Sequence, residues 1–244
     1  MRHANTPWLM PTSKNLQIHV ASLVGAHYER VTYLPMGVDD MFFTQSKLQP
    51  EYNLSQTVRI GYLGSYQTLG ISAGLERLIS NLHFLSNISV DLSIVGVGFD
   101  AVHVSERYLK DCELRDPNPR FHLRIKDWIS HESIPSFLTS FHALLLPYTE
   151  NSINYYRFPI KSLEYASSGV PILCSGTSSH RSIFSASEVF FYDTTNPLSL
   201  REVISQIFTD RSERKLRSTK ALHLSKEHSH ARRAKTLIDV VLKT

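Results

Sequence analysis

The sequence contains few cysteines and no long apolar run. Its 244 residues include two cysteines, Cys112 and Cys174, which are too few and too far apart to suggest a disulfide framework, and this usage fits a reducing cytoplasm. Apolar runs such as Ala143–Leu146 are far too short to cross a bilayer. Residues 1–10 also lack the charged start and apolar stretch of a signal peptide. We therefore expect a cytoplasmic protein without a dedicated membrane anchor.

Composition and charge narrow the class of protein. Apolar residues make up 42% and charged residues 20% of the chain, which excludes intrinsic disorder. The formal charge of +4 and the pI near 9.0 favour an anionic partner: a nucleotide, a phospholipid headgroup or a nucleic acid. The basic residues concentrate in 211–217 and 228–235, where a solvated helix face explains them equally well. The sequence contains no motif that reads nucleic acid, and we expect no nucleic-acid partner.

From residue 58 onward, short apolar runs rich in β-forming residues alternate with helical patterns. The predicted strands are 58–63, 90–95, 120–125, 143–146, 171–174 and 189–192. The predicted helices are 73–85, a segment around 102–109, 134–141, 160–168, a short piece after Thr177, and 198–208. This alternation predicts an α/β fold, a Rossmann-like parallel sheet with helices on both faces.

The two ends of the chain do not follow this alternation. Residues 1–52 predict a strand end at 9–10, a helix over 14–24 and a strand over 31–34. The polar segment 45–56, which contains Pro50, is typical of a linker. Residues 229–242 predict a closing helix with apolar residues along one face.

Glycines follow two of the predicted strands, where parallel sheets bind ligands. Gly64 and Ser65 end the first strand, and backbone N–H groups at such a position can bind an oxyanion. Many α/β domains have a glycine there for packing alone, so this signal is weak by itself. Gly96 and Gly98 form half of a dinucleotide fingerprint, but the third glycine is missing, and a structural turn explains them better than a nicotinamide site.

The segment 158–165 is the most informative in the chain. Pro159 and Ile160 precede a predicted helix, so Lys161 and Glu164 share one face of its first turns. A lysine there faces the positive end of the helix dipole at a cost of about 0.3–1 kcal/mol, which a bound phosphate would offset. A carboxylate one turn later can accept hydrogen bonds from vicinal hydroxyls. The pair suits a nucleoside diphosphate, although an ordinary exposed Lys–Glu pair remains the alternative.

The predicted loop 148–158, before this helix, is rich in polar and aromatic residues. A loop in that position commonly holds a ligand, and Arg157 is a candidate for contact with a diphosphate. Aromatic loops can also simply pack on themselves.

Taken in order, these segments resemble glycosyltransferase family 4, the group 1 glycosyltransferases of bacterial cell-surface polysaccharide synthesis. The similar segments are 31–39 (VTYLPMGVD), 60–64 (IGYLG), 92–98 (LSIVGVG), 134–138 (IPSFL), 143–148 (ALLLPY) and 158–171 (FPIKSLEYASSGVP). The resemblance implies the C-terminal, donor-binding domain of a GT-B fold enzyme plus a remnant of the N-terminal domain. It divides the chain into residues 1–52, the end of the acceptor-side domain and its linker, 53–227, the Rossmann-like donor domain, and 228–244, a crossover helix.

The resemblance also implies a function and a set of site residues. The chain would bind a nucleoside-diphosphate sugar without an obligatory metal or other cofactor, for transfer to an unknown acceptor, lipid-linked or saccharide. Glu164 would bind the ribose hydroxyls, Lys161 and the N–H groups near Gly64 and Ser65 would meet the diphosphate, and Trp128 and Ile129 would lie near the base. A lipid-linked acceptor would bring the protein into peripheral contact with the inner face of the membrane.

The sequence departs from the family pattern in its charged residues and its length. An acidic residue is often found eight positions before the ribose-binding glutamate, where this chain has Tyr156. Basic residues are usual where this chain has Ser65 and Leu69, and they hold the departing diphosphate. A complete enzyme also needs a preceding domain, so we expect Met1 to be internal to a longer reading frame or the chain to be a partial product. The alternative is a degenerate, non-catalytic module that binds a nucleotide or a protein partner.

Overall fold

The computed structural model describes residues 8–25, 30–44, 57–65, 67–68, 71–80, 90–95, 110, 121–126 and 128–242. The strands are β1 (Val58–Leu63), β2 (Gln67–Thr68), β3 (Ile71–Ser72), β4 (Val90–Val95), β5 (Phe121–Lys126), β6 (Ala143–Leu146), β7 (Ile172–Ser175) and β8 (Phe190–Tyr192). The helices are α1 (Lys14–Val24), α2 (Leu75–Ser80), α3 (Ile134–Leu138), α4 (Ser152–Tyr156), α5 (Lys161–Ser168), α6 (Ser178–Arg181), α7 (Pro197–Thr209), α8 (Arg211–Glu227) and α9 (His230–Leu242). Two 3-10 turns, Asp40–Phe43 and His131–Ser133, complete the described elements.

Six parallel strands form the central sheet in the order β5-β4-β1-β6-β7-β8. β1 lies between β4 and β6, so that Ile60 pairs with both Leu92 and Ala143. Every residue of β6 and β7 is buried, as expected for parallel strands covered on both faces. The six predicted strands are confirmed, with shifts of one residue at β5, β7 and β8. The two-residue strands β2 and β3, which pair with each other, were not predicted from the sequence.

The predicted helices are confirmed where the structure describes them, although several ends differ. α2 is described only to Ser80, and α3 ends at Leu138, before the predicted end at 141. The predicted segments 81–85 and 102–109 lie outside the described residues. The strand predicted over 31–34 is wrong as a regular strand, because Val31 makes only an isolated bridge with Leu9.

Two helices were missed. The sequence predicted a loop over 148–158, but α4 forms there because the side chain of Asn151 accepts hydrogen bonds from Ile153 N–H (3.1 Å) and Asn154 N–H (2.8 Å). The longer helix α8 begins where the Asp210 carboxylate accepts the N–H of Glu213 (2.9 Å). Its buried face consists of Arg214, Ser218, Ala221 and Ser225, which gives no apolar periodicity to detect.

The N-terminal segment packs against α4 and against the start of the C-terminal helix α9. Ser13, before α1, donates its hydroxyl to the carbonyl of Tyr156 in α4 (2.6 Å). Val38 forms a bridge with Ser229, just before α9, and Arg233 donates to the carbonyl of Pro35 (2.9 Å). The predicted domain boundaries at 52/53 and 227/228 stay predictions, and the linker segment 45–56 lies outside the described residues.

Candidate functional site

A cavity of about 180 Å³ opens at the carboxyl edge of the sheet and is called the edge cavity below. The ends of β1 and β4, the turn before α3 and the first turn of α5 form it. Its lining residues are Leu63, Gly64, Ser65, Val95, Trp128, Ile129, His131, Ile134, Lys161 and Glu164. Six of the nine predicted site residues are therefore brought together: Gly64, Ser65, Trp128, Ile129, Lys161 and Glu164.

A buried hydroxyl fixes α5 against the end of β1. β6 pairs with β1 only at Ile60 and Gly61, which leaves the next part of β1 without a strand partner on that side. The hydroxyl of Tyr165 takes that place: it accepts the N–H of Leu63 (2.7 Å) and donates to the Leu63 carbonyl (3.2 Å). Tyr165 is fully buried, and burial raises the pKa of its hydroxyl well above the ordinary value, so it remains a neutral donor and acceptor. Lys161 and Glu164 are thereby placed over the end of β1.

Gly64 allows the side chain of Lys161 to cross the end of β1. A Cβ atom at position 64 would clash with Lys161 Cε and would lie 2.8 Å from the hydroxyl of Tyr62. The Gly64 N–H donates to the Val95 carbonyl (2.9 Å), and the Tyr62 hydroxyl donates to the Ser65 carbonyl (2.9 Å). The close contact of Lys161 with this position explains why a glycine is needed there.

Glu164 lies half-buried beside two groups that can carry positive charge. Burial raises the pKa of its carboxyl, and the charges of Lys161 and His131 oppose that shift. Because α5 begins at Lys161, both Lys161 and Glu164 stand in its first turn, as predicted. The edge cavity thus presents a cation and a carboxylate at a helix N-terminus, where negative charge on a ligand is stabilised.

His131 is a lining residue that sequence reasoning missed. It begins the 3-10 turn His131–Ser133, and its ring contacts the ring of Phe42 edge-on, with 5.7 Å between centroids. Phe42 is buried and comes from the 3-10 turn Asp40–Phe43. The short turn that holds His131 has no apolar periodicity, so the sequence pattern did not single this residue out. Its position close to the predicted site residues Trp128 and Ile129 was the indication in the sequence that it could lie near the cavity.

The remaining wall of the edge cavity is apolar. Ile129 and Ile134 are partly buried, whereas Trp128 is 85% exposed. An exposed indole beside a cavity offers a flat surface on which a planar ring can stack.

Three predicted site residues do not line the edge cavity: Arg157, Pro159 and Ile160. The guanidinium of Arg157 lies over the ring of Tyr148, 5.4 Å from its centroid. The carbonyls of Pro159 and Ile160 accept the N–H groups of Ser162 (2.9 Å) and Leu163 (2.9 Å). These two residues therefore start α5, and any contact of the three with a ligand stays a prediction.

A second, polar cavity of about 390 Å³ lies farther along the same edge, beyond β7 and β8, and is called the β8 cavity below. Its charged lining residues are Glu150, Arg181 and Asp193. Arg181 lies over the ring of Phe191 (4.5 Å to the centroid) and donates to the Gly176 carbonyl (3.1 Å). Glu150 accepts the Ser178 N–H (2.7 Å) and Asp193 accepts the Thr195 N–H (2.7 Å), so all three charged side chains already have partners within the protein.

Within the described residues, no cluster of three or more His, Cys, Asp or Glu side chains is arranged to hold a metal ion. In the same part of the chain, no helix is long and apolar enough to span a membrane.

The fold and the edge cavity define an open α/β domain whose candidate site lies beyond the carboxyl ends of its parallel strands. The Glycosyl transferase-like family model matches residues 76–239, more than half of the chain, and the chain belongs to that family. A comparison with curated proteins finds no match.

Solved structures share the fold at low sequence identity. A glycosyltransferase from Rickettsia africae is 13% identical with a TM-score of 0.76, over 96% of this chain and 62% of that chain. Anabaena HepE in complex with UDP and glucose is 12% identical with a TM-score of 0.73, over 97% of this chain and 64% of that one. The C-terminal domain of a glycosyl transferase group 1 family protein from Francisella tularensis is 12% identical with a TM-score of 0.60, over 80% of this chain and 100% of that domain.

These similarities confirm the predicted family resemblance and fold class, a Rossmann-like parallel sheet of the kind found in the C-terminal domain of GT-B glycosyltransferases. The chain spans about three fifths of the length of the Rickettsia and Anabaena proteins.

Proposed function

We propose that this chain is the donor-binding half of a glycosyltransferase and that the edge cavity binds a nucleoside-diphosphate sugar. The observation that carries the proposal is the meeting of Gly64, Lys161 and Glu164 in one cavity at the carboxyl edge of the sheet. Gly64 follows β1, whereas Lys161 and Glu164 belong to the first turn of α5, so distant parts of the sequence meet in the cavity. The family and the UDP complex of the Anabaena protein agree with this class of ligand.

Each part of the ligand has a chemical counterpart in the edge cavity. Glu164 accepts hydrogen bonds from the two ribose hydroxyls, and Lys161 with the Ser65 N–H binds the diphosphate, because the Gly64 N–H already donates to the Val95 carbonyl. Trp128 and Ile129 contact the base. Burial of Glu164 strengthens such hydrogen bonds, because water competes less well there.

In the proposed reaction, the sugar passes to an acceptor oxygen and the nucleoside diphosphate leaves. Negative charge grows on the leaving diphosphate, and Lys161 and the N-terminus of α5 stabilise it without a metal ion. No catalytic base is assigned to this chain, because we propose that the acceptor side of the site belongs to a preceding domain. Donor binding by this chain is then expected to exceed its transfer activity.

We also propose that this transfer takes place in cell-surface polysaccharide or glycoconjugate synthesis, with an acceptor that is lipid-linked or a saccharide. It rests on the family resemblance. Helix α9 supports peripheral membrane contact, because Leu237, Ile238, Val241 and Leu242 are exposed on a helix that also carries Arg232 and Arg233.

The test of donor binding is calorimetric titration with UDP, GDP and UDP-sugars, in EDTA and in magnesium. We expect one nucleoside diphosphate to bind equally well in both, and Lys161→Ala and Glu164→Ala each to weaken binding at least about tenfold. Glu202→Ala and Lys215→Ala, at exposed positions outside the edge cavity, serve as matched controls. Binding of no nucleotide by a folded sample would favour the degenerate module, which the loss of basic residues at 65 and 69 also suggests.

A further inference from the structure

We propose that His131 is a positioning residue for the donor: its imidazolium holds the carboxylate of Glu164 charged and directed at the ribose. This inference rests on the proposed function and adds a residue that neither the family resemblance nor the comparisons assign. His131 lines the edge cavity with Glu164 and Lys161, and the edge of Phe42 fixes its ring at 5.7 Å between centroids.

The need for a second cation follows from the position of Lys161. Its side chain crosses Gly64, next to Ser65, whose N–H is proposed to bind the diphosphate. A bound diphosphate therefore neutralises Lys161 and adds negative charge near Glu164, and both effects favour protonation of a half-buried carboxyl. A protonated carboxyl has fewer acceptor positions for two ribose hydroxyls.

His131 supplies that charge from the turn before α3. The charge of His131 already opposes the burial-driven rise in the pKa of Glu164 in the empty protein. Glu164 and Lys161 on α5 line the same cavity as His131, and the ring of Phe42, from the turn Asp40–Phe43, packs on the imidazole.

The inference predicts that donor binding depends on a positive charge at position 131. Calorimetry should find UDP binding about three- to tenfold weaker in His131→Gln than in wild type. His131→Lys, which keeps a positive charge at this position, should retain tight binding. Because His131 is exposed, neither change is expected to shift the melting temperature.

The matched control is His223→Gln, at an exposed position on α8, which should behave as wild type. A second measurement needs no nucleotide: the carboxyl ¹³C shift of Glu164 against pH, in protein labelled at glutamate, should give a higher pKa in His131→Gln. UDP binding with the same affinity in wild type and His131→Gln overturns the inference and leaves the proposed function standing. A folded wild-type chain that binds no UDP overturns both.

Discussion

The hydroxyl of Tyr165 forms hydrogen bonds with both backbone groups of Leu63: it accepts the N–H (2.7 Å) and donates to the carbonyl (3.2 Å). It replaces the strand pairing that β6 no longer provides beyond Gly61. One side chain of α5 thereby sets the position of Lys161 and Glu164 relative to the end of β1. The geometry of the edge cavity therefore depends on a contact outside it.

Tyr165→Phe removes this hydroxyl and leaves two buried backbone groups without their partner. We expect the free energy of unfolding to fall by about 1–3 kcal/mol, and UDP affinity to fall because α5 loses its fixed position. Urea denaturation and calorimetry measure the two effects. Tyr155→Phe, at an exposed position, is the matched control and should change stability by less than about 0.5 kcal/mol. Equal stability of Tyr165→Phe and wild type would contradict this role.

Gly64→Ala tests the crossing of Lys161 over β1. The new methyl group would displace Lys161 Cε and press on the Tyr62 hydroxyl, at a position where φ is +157°. Because the lysine stem is flexible, we expect a stability loss of about 1 kcal/mol but a loss of UDP affinity of about tenfold. In the control Gly176→Ala, a Cβ would also meet the end of a side chain, Arg181 Nη2 at 2.8 Å, but outside the edge cavity. Similar UDP affinities of Gly64→Ala and Gly176→Ala would contradict the view that Gly64 is needed for Lys161 to cross the end of β1.

Glu164→Gln should stabilise the empty protein while it weakens nucleotide binding. Burial raises the pKa of Glu164, so the folded chain holds this proton more tightly than the unfolded chain does. The stability that this shift contributes is present at low pH and is lost as the pH rises through the folded pKa, so the neutral amide should be more stable by about 1 kcal/mol at pH 7.

Urea denaturation without nucleotide at pH 7 and near pH 4 checks this prediction. The advantage of Glu164→Gln should shrink at the lower pH, where the carboxyl is itself protonated. Glu132→Gln, at an exposed position, should show no such advantage at either pH. A Glu164→Gln protein less stable than wild type at pH 7 would show that the charge helps to hold the fold.

Two buried histidines predict a loss of stability in acid. Burial lowers the pKa of His180 to about 4, and burial together with the charges of Arg59 and Arg214 lowers that of His142 to about 4. The unfolded imidazoles titrate near 6.5, so the unfolded chain binds more protons between these values. The free energy of unfolding should therefore fall as the pH drops from about 6.5 to about 4.

The same denaturation series, repeated on His142→Asn, should show a shallower pH dependence than wild type. His223→Asn, at an exposed position, should leave the slope unchanged. A stability that stays flat from pH 7 to pH 4.5 in wild type would show that these histidines are not held neutral by the fold.

The sequence predicted the strands of the sheet and most of the edge cavity. Fully buried parallel strands such as β6 are continuous apolar runs, and glycine and proline mark their ends. Lys161 and Glu164 were found because helical spacing places them on one face. α8 was missed because its buried face carries the polar residues Arg214 and Ser218. Arg214 can be buried because its guanidinium donates a hydrogen bond to the Ile207 carbonyl (2.8 Å), and the sequence pattern does not show this contact.

The surroundings of Arg157 show another limit of sequence reasoning. The side chain lies over Tyr148, and nothing in the local pattern indicated that Asn151 would cap a helix within the predicted loop. His131 was missed for the related reason that its position depends on Phe42, which is distant in the sequence. Contacts between distant segments decide which polar side chains reach the cavity.

The most direct measurement of the central claim is a crystal structure of the chain with bound UDP. We predict the ribose hydroxyls within hydrogen-bonding distance of the Glu164 carboxylate, and the diphosphate against Lys161 and the Ser65 N–H. UDP in the β8 cavity, with its diphosphate on Arg181, would contradict the assignment of the edge cavity.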